Sequence, residues 1–198
     1  GTFLGSWLAS ELNQPEDIAT DGTNIWIVDA AKDKVYYYAN QAATLTGDIT
    51  STSNFSLSSQ NKNPTGMVVR DGKLWVTDRK NANTVKVFIY NSTTGALIGS
   101  WNLDAANNDP SGITLSPTGG TDMWVVDRLD NAVYHYVGAT AWTTGSYSAT
   151  SSWNLTADNR AADGGPRYSP DGRYLAYGKQ TIPRFYGDTV RLVLLDRA

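Results

Sequence analysis

No cysteine occurs in the 198 residues, which excludes disulfide frameworks and thiolate metal sites and leaves the redox compartment open. Histidine is nearly absent too. His135 is alone, so any histidine-based triad or His-rich metal site has to be built around that one side chain. Basic residues are in slight deficit, 16 Lys and Arg against 19 Asp and Glu, and a formal charge of −3 gives no field that would draw nucleic acid or an anionic membrane. No apolar run approaches the roughly 18 residues a spanning helix needs, and no signal-peptide pattern stands at Gly1. Neither nucleic acid nor membrane is expected as a partner. A Walker loop, a Rossmann glycine pattern, an EF-hand loop and Asp-x-Asp spacing are missing as well, so no cofactor is expected. What is there is a chain rich in Thr, Ser, Asn, Gly and aromatics, the composition of many short strands joined by polar turns.

Those strands recur. Asn24-Ile25-Trp26-Ile27-Val28-Asp29 is echoed by Lys73-Leu74-Trp75-Val76-Thr77-Asp78 and by Asp122-Met123-Trp124-Val125-Val126-Asp127, at a step of about 49 residues each time. A short apolar, β-branched run ending in Asp reads as a strand buried on both faces. Each copy sits in a longer unit: a strand opening at Pro15, Pro64 or Pro110, a turn, the Trp strand, an aromatic third strand, and a fourth strand near Phe55, Trp101 or Trp153. The first two units place an Asp-Gly turn signal, Asp21-Gly22 and Asp71-Gly72, before the Trp strand. Four hairpin-connected strands per unit predict an all-β fold, a β-propeller of four-stranded antiparallel blades with four blades in one domain spanning 1–198. The blades are approximately 14–58, 64–103, 110–155 and 163–198, the last completed by a strand over 2–8.

That completion rests on Gly5-Ser6-Trp7, which matches Gly99-Ser100-Trp101 of a fourth strand and has no partner strand before it. Closure removes two exposed edges. It has two forms: a four-bladed monomer, or a two-fold homodimer forming an eight-bladed ring, in which the N-terminal strand completes the partner's blade.

The motif Pro-x-Gly-Ile/Met, Asp-Gly, x-x-Trp-Val-x-Asp and Val-Tyr-x-Tyr resembles the NHL-type propeller repeats of bacterial secreted or surface proteins over residues 1 to about 158. The first unit departs from it, with Asp17 at the Gly position. Ser169-Pro170-Asp171-Gly172-Arg173-Tyr174-Leu175-Ala176-Tyr177 resembles instead the propeller repeats of TolB-like proteins and of prolyl-oligopeptidase-type peptidases. In such peptidases the resemblance implies a gating propeller, the catalytic groups lying in a separate domain. No Gly-x-Ser-x-Gly occurs here, so no catalytic residue carries over. Two repeat types meeting near Asn159 imply a chimeric chain, natural or engineered.

Candidate sites follow from the repeat. Asp29, Asp78 and Asp127 end the Trp strands at equivalent positions; they read as turn-closing side chains or, if they faced the channel together, as a carboxylate ring for a hard cation. Arg79 and Arg128 follow two of them and could bind an anionic ligand, or pair with acids such as Asp130. His135 occupies an aromatic slot of the third strand, matched by Tyr37 and by Phe88. Trp142, in a loop with no counterpart, is either an exposed contact residue or a loop anchor. Trp26, Trp75 and Trp124 read as inter-blade packing. The function expected is that of a non-catalytic scaffold or module binding a protein or small molecule on the channel face. Alternatives are an NHL-type lactonase or lyase acting at the channel mouth with a metal or His135, and a piece of a peptidase-type gating propeller.

Overall fold

The computed structural model describes residues 2–79 and 85–155 in full, together with the backbone of three strands between 163 and 196. The expected junction at Asn159 and the Asp171-Gly172 turn lie outside the described residues. The first sheet holds β1 (Pro15–Thr20), β2 (Ile25–Asp29), β3 (Lys34–Tyr38) and β4 (Ser53–Ser56). The second holds β5 (Pro64–Arg70), β6 (Lys73–Asp78), β7 (Lys86–Asn91) and β8 (Leu97–Asn102). The third holds β9 (Pro110–Leu115), β10 (Met123–Asp127), β11 (Ala132–Tyr136) and β12 (Ser151–Asn154). Each is antiparallel, with its strands paired in chain order. The fourth sheet has three described strands, β13 (Asp163–Tyr168), β14 (Tyr174–Lys179) and β15 (Arg191–Asp196). This is the expected all-β propeller.

Local chemistry sets the blade. Arg70 pairs with Lys73 across a two-residue hairpin whose central Asp71 and Gly72 both have positive φ (49° and 72°), the combination a tight hairpin needs to match strand twist. The first strand of each of the first three blades opens with a proline, and the ladder slips by one residue directly after it, leaving Glu16, Thr65 and Ser111 outside the register. Proline is tolerated there because this strand is the sheet's inner edge and its nitrogen has no ladder bond to make.

The apolar run of each Trp strand is buried on both sides: the second and third sheets lie between neighbouring sheets, and the far face of the first carries Trp7, Ala9 and Leu12 of the N-terminal segment against Ile25 and Ile27. Alternate residues serve opposite faces. Trp26 and Val28 meet Leu74, Val76, Phe88 and Tyr90 of the second blade. Trp75, Val87, Ile89 and Trp101 meet Met123, Val125, Tyr134 and Tyr136 of the third. Trp124 and Val126 form a further cluster with Val133 and Trp153. The three repeated tryptophans therefore lie in three successive layers, and the Trp26 indole N–H donates to the Ser92 carbonyl of the next blade at 2.9 Å.

A buried tyrosine recurs on each third strand. The Tyr90 hydroxyl accepts from the Ser58 N–H and from Asn61, and that of Tyr136 from the Asp104 N–H and from Asn107. In the first blade the chemistry is inverted: Tyr38 donates to Glu11, at 3.0 Å. Burial raises the phenols of Tyr38, Tyr90 and Tyr136 above their ordinary range, and burial with the nearby Asp130 carboxylate pushes Tyr134 up to about 12. A raised acid pKa means that the folded state favours the neutral phenol. That stability is fully present below the unfolded value of 10.0 and is lost as pH climbs through the folded values. The melting temperature is expected to hold to about pH 10 and then fall. The phenolates of Tyr38, Tyr90 and Tyr136 should appear in the absorbance only as the chain unfolds; their titration near pH 10 in the folded protein would contradict the burial.

Among the described residues β13, β14 and β15 stand as three strands with no N-terminal strand beside them, and residues 2–8 lie against the first blade, where Leu8 makes a parallel bridge to Asp48. The intrachain form of the expected closure is thus not the arrangement seen. The reason is spatial: β1 packs along β5, β5 along β9 and β9 along β13, but β13 makes no comparable contact with β1.

Candidate functional site

The Trp strands all end at one end of the molecule, where the chain turns into the third strand and where the next inner strand begins. Asp29, Asp78 and Asp127 are buried there. The Asp29 carboxylate accepts the backbone N–H groups of Asn13, Gln14 and Lys32. Asp78 accepts from the Asn63 N–H at 3.0 Å. Asp127 accepts from Asp109 at 2.8 Å, Leu129 at 2.8 Å and Asp130 at 2.9 Å. Each carboxylate therefore ties the loop entering its blade to the Trp strand, and for Asp29 and Asp127 also to the turn that follows. Among the described residues no three His, Asp or Glu side chains come together as a metal site. Asp29 and Asp127 act as turn closures, and Asp78 holds the loop that enters its blade.

Arg79 and Arg128 do come together. Arg128 reaches Asp109 through Nη2 at 3.0 Å and Nε at 3.2 Å, and Arg79, one blade back, places Nε 3.5 Å from the other oxygen of the same carboxylate. Their acid partner is Asp109 and not Asp130, because Asp130 turns back to bond the Asp127 carboxylate through its N–H and the Tyr134 hydroxyl through its side chain. Two guanidinium groups share one carboxylate, with the arginine side chains 39% and 46% exposed. An exposed pair of this kind contributes at most about 1 kcal/mol to stability. The Lys62–Asp33 pair spans the first two blades at the same end.

His135 sits elsewhere. It pairs across the ladder with Trp124, and its ring lies parallel to the indole at 4.6 Å. Nε2 is 2.9 Å from an Asp122 oxygen, and the other Asp122 oxygen accepts the Gly138 N–H. Tyr37 rests on Trp26 in the same register; in the second blade the residue opposite Trp75 is Ile89, not Phe88. The Asp122 end of β10 and the Asp127 end are five residues apart, on the order of 15 Å, so His135 and Arg128 cannot act on one small ligand. His135 also stands on the third strand of its sheet, two strands out from the inner edge, and not at a channel mouth. Trp142 is the loop anchor of the two readings offered for it. It stacks on Tyr147 at 3.7 Å and meets Trp101 edge-on at 5.1 Å, half-buried against the core between the second and third blades.

Sequence reasoning missed Asp109, which holds both arginines. Its signal was positional: it directly precedes the proline of an inner strand, where the sister units carry the uncharged Gln14 and Asn63. It missed Asp122 for the same reason, since Asn24 and Lys73 stand at the matching positions. Arg70 was also missed; it donates to the Ser116 and Gly120 carbonyls at 2.9 and 2.7 Å and ties the second blade to the hairpin loop of the third.

No protein-family model matches the chain, and no curated protein matches its sequence. Solved structures do. The chain is similar to Kuenenia stuttgartiensis hydrazine synthase with a TM-score of 0.59 at 15% identity, over 100% of this chain and 67% of that one. Against Myxococcus xanthus glutaminyl cyclase the TM-score is 0.60 at 13% identity, over 92% of this chain and 74% of that one. A nidogen/laminin complex structure gives 0.58 at 18%, over 86% of this chain and 57% of that one. These neighbours are β-propeller proteins, and likeness at such low identity establishes the fold alone.

Proposed function

We propose that this chain is a non-catalytic propeller module that binds a carboxylate-bearing ligand, on a protein or a small molecule, at the end where Arg79 and Arg128 meet. The observation that carries the reading is the convergence of these two half-exposed guanidinium groups from two blades on the single carboxylate of Asp109. A ligand carboxylate can share the guanidinium donors that one acid leaves over, and a planar fork suits that geometry. Three other candidate side chains support the non-catalytic half of the reading, because they are engaged elsewhere. Asp29 and Asp127 close turns, and His135 is held between Trp124 and Asp122. On this reading the first three blades are NHL-like repeats of a recombined chain that ends in a TolB-like blade.

The test is selection of binders from a displayed peptide library, followed by calorimetry with the selected peptides. Acidic peptides are expected to dominate. Their affinity should fall roughly tenfold or more in an Arg79→Ala/Arg128→Ala variant whose melting is close to wild type. Selection of neutral or basic peptides, or unchanged binding by the double variant, would count against the site. A hydrolase or lyase activity lost in His135→Ala would overturn the non-catalytic half.

A further inference from the structure

Ile18, Met67 and Ile113 hold the same place in three inner strands, the third residue after the opening proline. Met67 is 2% exposed and Ile113 1%, because each is covered by the blade before it; Ile18 is 50% exposed. The first blade therefore presents a face built for a neighbour, and the fourth sheet of the same chain does not take that position, since β13 makes no comparable contact with β1.

Residues 3–9 mark where that neighbour sits. The Leu8 N–H donates to the Gly47 carbonyl and the Ile49 N–H to the Leu8 carbonyl, both at 2.8 Å. In the same pattern the Asn102 N–H of β8 donates to Gly145 and the Tyr147 N–H to Asn102. Trp7 lies 5.3 Å from Tyr38, as Trp101 lies 5.3 Å from Tyr136. A Cβ on Gly5 would stand 2.3 Å from the Leu45 carbonyl oxygen, and one on Gly99 2.1 Å from that of Thr143. The segment thus occupies, against the first blade, the seat that β8 occupies against the third: the outer strand of a preceding blade. β8 has β7 on its other side. Residues 3–7 have no strand there among the described residues, and Phe3, Leu4 and Leu8 stand exposed. β15 shows the reverse: among the described residues it is the outer strand of a three-stranded sheet, where the other three sheets have four.

We infer that a second copy of this chain supplies the missing blade. Residues 3–7 of each protomer add as the fourth strand to β15 of the partner, and the partner's β13 covers Ile18. One donated strand and one open edge per chain are self-complementary under a two-fold axis, so two chains close a ring of eight blades with no free edge at the joins. Main-chain pairing supplies the bonds, and the exposed Ile18 supplies apolar surface to bury.

Light scattering on the full 198-residue chain across a concentration series tests this. The expected mass is twice 21.5 kDa. A mass of 21.5 kDa overturns the proposal, and so does a mass that grows steadily with concentration, which would mean an open array. Two variants locate the interface. Ile18→Lys puts a charge on the covered face, and the paired change Phe3→Asp/Leu4→Asp puts charges on two apolar side chains of the donated strand that are exposed in the single chain. Both are expected to run at the mass of one chain while keeping the near-ultraviolet circular dichroism of the Trp101 cluster. A dimer that survives both substitutions is held by some other surface and overturns the assignment.

Discussion

Trp101→Ala is expected to be among the most destabilising single substitutions in the molecule. Trp101 is 1% exposed and belongs to β8, the outer strand of the second blade, yet most of its aromatic neighbours belong to the third. It meets Tyr136 at 5.3 Å, Trp142 at 5.1 Å and Tyr147 at 5.9 Å, all near edge-on, with Trp142 and Tyr147 stacked behind. Truncation empties the joint between two blades and frees the loop that Trp142 anchors. A buried Trp-to-Ala change costs about 3–5 kcal/mol, against a total stability of about 5–15 kcal/mol for a domain. The melting temperature should fall on the order of 10 °C, with the remaining tryptophan emission shifting to the red. Trp101→Phe should cost far less. The Trp101 indole N–H is buried without an acceptor, so phenylalanine removes an unsatisfied donor along with some apolar area. Trp26→Phe is the contrasting control, because it gives up the bond to Ser92. Equal losses at the two positions would show that the indole N–H groups do not matter to the packing.

The second large effect is expected at Asp127. Alanine there leaves the N–H groups of Asp109, Leu129 and Asp130 facing a buried space with no acceptor. Each orphaned donor costs about 1–3 kcal/mol, less whatever water can enter, so Asp127→Ala should lose roughly 3 kcal/mol or more. Asn keeps one acceptor oxygen but turns an amide N–H₂ toward a donor, and should recover only part of that loss. The turn-closing role also makes a statement about metal. A chelator is expected to leave wild-type melting unchanged, whereas a carboxylate ring around a cation would lose stability on chelation. Dependence of melting on added Ca²⁺ that disappears in Asp127→Ala would sink the turn-closing account.

The repeated residues were legible because they serve the repeat. A strand sandwiched between sheets needs apolar side chains on both faces, so Trp26 to Val28 and Trp124 to Val126 show as unbroken runs. Buried carboxylates that close equivalent turns recur with the same period. The residues that make one blade differ from the next were less so. Asp109 and Asp122 have uncharged or basic counterparts in the sister units, and their partners Arg128 and His135 lie 19 and 13 residues away, across a β-hairpin. A pairing made by a ladder register leaves no local pattern in composition. Phe88 was matched to His135 by sequence spacing, but the ladder sets Ile89 opposite Trp75.

What the sequence determined by itself is the blade: its strand order, its two-residue turn at Asp71-Gly72, its Trp layer and its Asp closures. Each of these follows from local periodicity and turn stereochemistry, which short-range residue choice dictates. Only the tertiary structure decided which guanidinium groups meet on Asp109, that Trp142 faces inward, and that Ile18 stands uncovered while Met67 and Ile113 do not. Those depend on how one blade is set against the next. That angle is the summed result of packing across whole sheets, and no single stretch of the chain encodes it.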